Sequence, residues 1–149
     1  MVTTVGLENQ LEGLIADLIQ LEIDAIAAYE TTIEKLENPG FKSRIGEFRG
    51  DHMRHLQELN ELASKYGIPA PTEGDAKEML TTGKIQLASL VSDKTILKAM
   101  KTNEDDTVSA YDRASRHEAV VDDAERGLFR RALADEIRHR EWMETASSS

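Results

Sequence analysis

Apolar residues recur at three- and four-residue intervals along four long stretches of this chain, the spacing of helices that bury one face. The first stretch reads Ile15, Ile19, Glu22, Ile26, Tyr29, Ile33, Leu36. The second reads Ile45, Phe48, His52, Leu56, Leu59, with His55 beside Leu56. The third reads Leu97, Met100, Glu104, Val108, Tyr111, and the fourth Phe129, Ala132, Glu136, His139, Met143. No alternation of period two is sustained anywhere, so the pattern predicts an all-α chain with helices over about 7–37, 41–66, 93–118 and 122–146. Asn38, Pro39 and Gly40 supply stop and turn chemistry after the first helix. Asp122, with Glu125 three residues later, resembles a capping box that opens the fourth.

The links are as informative as the helices. Only a few residues separate the first helix from the second and the third from the fourth, so each pair is expected to form an antiparallel hairpin. The middle link, residues 67–92, is less periodic, contains Gly74 and Gly83, and is read as a crossover with a short extra helix. It is long enough to travel the length of a bundle. The expectation is a four-helix bundle of two hairpins joined by one long crossover, a single domain over residues 1–149.

Composition agrees and removes several functions. Of 149 residues, 40% are hydrophobic and only 5% aromatic, as in a helical bundle rich in Leu, Ile, Ala, Glu and Lys. No apolar run approaches the ~20 residues of a membrane span. The opening "MVTTVGLENQLEGL" lacks the basic and apolar blocks of a signal peptide, and a cytoplasmic location is expected. With no cysteine there is no disulfide, zinc finger or iron–sulfur cluster. A formal net charge of −10 argues against general nucleic-acid affinity, which needs cations to displace phosphate counterions.

Against that background the interruptions in the apolar stripes stand out. Glu22, His52, Glu104 and Glu136 each sit near the midpoint of a helix, on the face that should be buried. A buried carboxylate must be neutralised, paired or bound to a cation, because an isolated one is very costly. Midpoints of helices of similar length meet at one level of a bundle. The stretch "EIDAIAAYE" from Glu22 also aligns with "EDDTVSAYD" from Glu104, so the two hairpins look like copies. His52 with His55, and Glu136 with His139, are spaced at i, i+3, which puts both side chains of a pair on one face about a turn apart. The candidate metal ligands are therefore Glu22, His52, His55, Glu104, Glu136 and His139. Carboxylates with imidazoles suit iron or manganese and accommodate zinc. Tyr29 and Tyr111 lie two turns beyond their glutamates, and helical side chains lean toward the N-terminus, so both phenols are candidate donors to the site or redox residues.

In these residues the chain resembles the ferritin-like diiron-carboxylate superfamily, most closely its rubrerythrin and bacterioferritin branches, and the small ferritin-like bacterial proteins linked to stress responses. Glu22 with Tyr29, Glu104 with Tyr111, and Glu136 with His139 match the superfamily's motifs in order and spacing. The resemblance implies a ferritin-like bundle holding two irons, with Glu22 and Glu104 as terminal ligands, Glu136 as a bridge and the histidines as neutral nitrogens. It further implies dioxygen or peroxide as partners in ferroxidase or peroxide-reducing chemistry, and a homodimer as the modest oligomeric expectation. Two departures qualify this. His52 stands where the family has a bridging glutamate, and Thr107 where rubrerythrins often carry a further glutamate. Three carboxylates leave one positive charge on two divalent ions, which favours a mononuclear or asymmetric site, or recruitment of Asp51 as a substitute carboxylate. The alternative function is a structural or stress-associated bundle whose metal site is structural or vestigial, without turnover.

Overall fold

A computed structural model of the chain describes residues 3–72 and 90–148. Within them lie four α-helices and no strand: α1 (Leu11–Lys35), α2 (Pro39–Lys65), α3 (Asp93–Ser115) and α4 (Asp123–Ser148). Short polar side chains set three of the four starts. The Asn38 side chain accepts from the backbone N–H of Gly40 at 2.8 Å and of Phe41 at 3.1 Å, with Pro39 in the first helical position. Ser92 Oγ accepts from Thr95 N at 3.2 Å, and Asp122 Oδ1 from Glu125 N at 3.0 Å. The return half of that expected capping box is not made. The Glu125 carboxylate accepts instead from the Tyr66 hydroxyl, with Oε2 at 2.8 Å, which ties the end of α2 to the start of α4.

The first helix starts at Leu11 rather than Leu7, and the cause lies a hundred residues away. Arg113 on α3 donates through Nη1 to the carbonyls of Thr3 at 2.7 Å and Val5 at 3.0 Å, and Thr3 N donates to Asp106 Oδ1 at 3.2 Å. This ties residues 3–5 to α3 as a strap. Gly6 makes the strap's bend, with φ +98°, and a Cβ there would lie 2.4 Å from Arg113 Cβ. The third helix ends at Ser115, short of Glu118, while the fourth runs on to Ser148.

Three sets of contacts fix the topology. Asp93, opening α3, accepts from the N–H groups of Glu37 and Asn38 at 2.9 Å each, so α3 begins beside the beginning of α2. Those two helices therefore run parallel, and the chain between them must return the length of α2, whose 27 residues span roughly 40 Å. Tyr29 on α1 bonds Glu104 on α3, and Tyr111 on α3 bonds Glu22 on α1, which sets α1 antiparallel to α3. The fold is an all-α four-helix bundle of two antiparallel hairpins with a long crossover. Residues 73–89, which hold Gly74, Gly83 and the expected extra helix, lie outside the described residues. Among the described residues no helix is long and apolar enough to cross a membrane.

The core is divided. One apolar cluster gathers Leu14, Leu18, Ile19, Leu59, Phe129 and the ring of Tyr111; the other gathers Leu36, Ile45, Phe48, Leu97, Met100, Met143 and the ring of Tyr29. Trp142 packs edge-on against Phe41 and Phe48, at 5.5 and 5.6 Å between centroids, and so holds α4 to α2. Between the two clusters runs a layer of buried polar side chains.

Candidate metal centre

The layer is built from one residue pattern used twice. On α2 the stretch "DHMRH" (Asp51–His55) and on α4 "DEIRH" (Asp135–His139) place aspartate, ligand candidate, arginine and histidine at equal offsets. On α1 and α3 the sequence repeat aligns Glu22 with Glu104 and Tyr29 with Tyr111. Antiparallel packing then brings Glu22, His52, His55, Glu104, Glu136 and His139 to one level, and none is more than 3% exposed.

Their contacts divide into two similar sets. Glu22 meets His52 Nδ1 through Oε2 at 2.7 Å and His55 Nδ1 through Oε1 at 3.3 Å. The Tyr111 hydroxyl donates to Glu22 Oε1 at 2.6 Å. Across the layer the Tyr29 hydroxyl donates to Glu104 Oε1, which also lies 3.4 Å from His52 Nε2. Glu136 spans both sets: Oε1 is 3.2 Å from His55 Nδ1, while Oε2 is 3.4 Å from His52 Nε2 and 3.5 Å from His139 Nδ1. Two groups of four, Glu22–His52–His55–Glu136 and His52–Glu104–Glu136–His139, each offer donor atoms within 4.8 Å of one another and can hold a metal ion.

Thr107 also joins this layer. On α3 the buried line passes through Thr107 and Ala110, while Val108 is only half-buried. Its hydroxyl lies 2.8 Å from Glu104 Oε2, 3.0 Å from Glu136 Oε2 and 3.0 Å from the Glu104 carbonyl, so its single proton is shared among three acceptors.

Asp51 is not brought into the inner group. Its Oδ2 accepts from His139 Nε2 at 2.8 Å, on the side of the ring away from the other ligands. Asp135 does the same for His55 Nε2 at 2.8 Å. Each aspartate thus accepts the outer N–H and fixes the plane of the histidine on the opposite helix, leaving Nδ1 directed inward. Arg54 reaches Asp51 at 3.2 Å and Asp135 at 2.6 Å, and Arg138 reaches them at 2.7 and 3.3 Å, so two guanidinium groups brace the pair from solvent. Phe48 stacks on the His139 ring at 4.2 Å and 27°. Sequence reasoning placed neither Asp135 nor Arg54 in the site, although the "DxxRH" repeat was there to be seen.

The protonation of the layer follows from charge packed without water. Burial opposes ionisation of Glu22, yet the His52 and His55 cations overcome it and hold the carboxyl at about 2. Burial likewise disfavours the imidazolium forms, but the carboxylates prevail: His52 is raised well above its ordinary value, His55 to about 11 and His139 to about 9. Glu136 is raised, by burial and by the neighbouring Glu104 charge, while Glu104 itself is held low despite burial. Tyr29 and Tyr111 are pushed well above the usual phenol range, first by burial and then by the carboxylates they face, so both remain hydroxyl donors. Two buried atoms, Glu136 Oε1 and His139 Nδ1, make no hydrogen bond although charged partners lie near. Such orphaned donor atoms at the centre of a carboxylate–imidazole layer fit a metal ion. A cleft of about 310 Å³, lined by Arg54, His55, Glu58, Arg131 and Asp135 among others, opens on the His55 side of the layer.

A family model described as "Domain of unknown function (DUF2383)" matches residues 11–117, a span that takes in α1, α2 and α3. No curated protein and no solved structure matches the chain.

Proposed function

We propose that this chain, which belongs to the DUF2383 family, is a metal-binding protein of ferritin-like architecture whose buried layer holds iron, two ions per chain. The observation that carries this reading is the convergence of six fully buried carboxylate and imidazole groups from four helices on two overlapping four-residue sets. Glu22 and His55 would serve one ion and Glu104 and His139 the other, with Glu136 shared; manganese and zinc suit the same donors. Bound iron supplies one-electron chemistry toward dioxygen or peroxide, the basis of ferroxidase or peroxide-reducing activity. The chain's own contribution is to orient and to keep water out. Asp51 and Asp135 aim two histidines, two apolar clusters close the layer above and below, and Tyr29 and Tyr111 hold protons on the oxygens facing Glu104 and Glu22.

The test is the metal content of protein purified without chelator, counted per chain beside Glu22→Ala and Glu136→Ala. About two irons in the parent, lost from both variants with helicity intact, is the expected result. A folded protein that retains none of iron, manganese or zinc would sink the proposal. One observation favours a second reading, a vestigial or purely structural layer: all but two of its buried side-chain atoms already find hydrogen-bond partners within the protein.

The aspartates give a separate check. Asp51→Asn and Asp135→Asn are each expected to weaken metal binding about 10–100-fold, because an amide no longer enforces the inward Nδ1 lone pair. Competition against a chelator of known affinity measures this. Affinities unchanged in both variants would detach these residues from the site.

A further inference from the structure

We propose that His52 bridges two metal ions, one on each ring nitrogen, an inference that rests on the metal-site reading above. The two four-residue sets share only His52 and Glu136. Glu136 serves both sides because it has two oxygens, Oε1 turned to His55 and Oε2 to His139. His52 divides in the same manner. Its Nδ1 lies 2.7 Å from Glu22 Oε2, within the set that contains His55. Its Nε2 lies 3.4 Å from both Glu104 Oε1 and Glu136 Oε2, within the set that contains His139. A ring nitrogen has one lone pair and binds one ion, so filling both sets together requires His52 to ligate through both nitrogens.

Nothing nearby takes that role from it. Asp51 and Asp135 are committed to the outer nitrogens of His139 and His55. The His52 ring is fully buried and packs in tilted contact with the rings of Tyr29 at 4.7 Å and His139 at 5.2 Å, so its two nitrogens have no solvent to turn to. Charge points the same way. An imidazole bound through both nitrogens has lost its N–H and counts as an anion. With Glu22, Glu104 and Glu136 it supplies four negative charges to two divalent ions, which makes good the deficit of a three-carboxylate set.

The bridge also sets a distance. Metal–nitrogen bonds of about 2 Å on either side of an imidazole put the ions about 6 Å apart, against about 3.5–4 Å for ordinary two-metal sites. Full-length protein saturated with Co(II) should hold two ions per chain by elemental analysis. Anomalous scattering from its crystals should place them about 6 Å apart, one near Glu22 and His55, the other near Glu104 and His139. His52→Ala should drop from two ions to at most one with helicity retained, and His52→Glu should restore a pair at the shorter spacing. Two ions at about 3.5–4 Å in the parent protein, a single ion, or a His52→Ala variant that keeps both would each overturn the bridge while leaving metal binding intact. No bound ion at all would overturn the metal-site reading and the bridge with it. Should His52→Ala fail to fold, the ion positions in the parent protein decide the matter alone.

Discussion

Glu22→Ala is expected to destabilise the metal-free protein by about 3–5 kcal/mol, the usual cost of removing one partner from a buried ion pair. Glu22 faces two imidazolium groups and a phenol, none with water to turn to. Without it His52 keeps only the longer contacts to Glu104 and Glu136, at 3.4 Å each, and Tyr111 loses its acceptor. The histidines can limit the loss by shedding protons, which is why the effect stays within that range rather than growing with each broken contact. Glu22→Gln keeps side-chain volume and an acceptor for Tyr111 but removes the charge, so its loss should be smaller. Urea unfolding near pH 6 in the presence of chelator measures both. A loss under about 1 kcal/mol for the alanine variant would mean that the layer contributes little to folding.

The contribution of Glu22, His55 and His139 to the stability of the metal-free protein is expected to be greatest between about pH 4.5 and 6.5 and to fall on both sides. On the acid side the folded pKa of Glu22 is depressed to about 2, so its contribution is present above the unfolded value near 4.5 and is lost as pH falls through 2. On the alkaline side the signs reverse. His139 and His55 are raised to about 9 and about 11, so their contribution is complete below the unfolded value near 6.5 and is lost as pH rises through those values. For His139 alone the alkaline loss is on the order of 3 kcal/mol. Metal and protons compete for the same nitrogens, so metal affinity should climb with pH across this range and binding should release protons. Melting temperature against pH, with chelator and with saturating metal, checks this. The decline above pH 6.5 should be present with chelator and largely absent with metal. An alkaline limb identical in the two conditions would break the link between these histidines and the metal.

Much of the fold was legible because helical periodicity and link length are local properties. Four amphipathic stretches and one long middle link leave few arrangements, and the bundle observed is among them. The inner six residues of the layer were legible for a related reason: a glutamate or histidine in the middle of an apolar stripe is a conflict that only a partner resolves. What surrounds them was not. Asp135 and Arg54 lie beside the stripe, where charge is ordinary, and only the crossing of α2 with α4 gives them work. Asp51 sits next to His52 in sequence, yet helix geometry turns it to the histidine of another helix. Thr107 looks neutral until the α3 face rotates to bury it in place of Val108. The unwound start of α1 depends on Arg113, a partner no window of local sequence contains.

The crossed tyrosines have a consequence for assembly of the bundle itself. Contacts among Leu, Ile and Met are nearly interchangeable, so an apolar seam tolerates one helix sliding past another with little loss. Here each phenol is rooted in one apolar cluster and reaches a glutamate on the facing helix. A slip of α1 against α3 by a single turn, about 5.4 Å, would break both phenol–carboxylate bonds at once and strand both hydroxyls. The layer thus works as a vernier: an axial misalignment that leaves the apolar contacts nearly unchanged separates these few polar atoms from their partners.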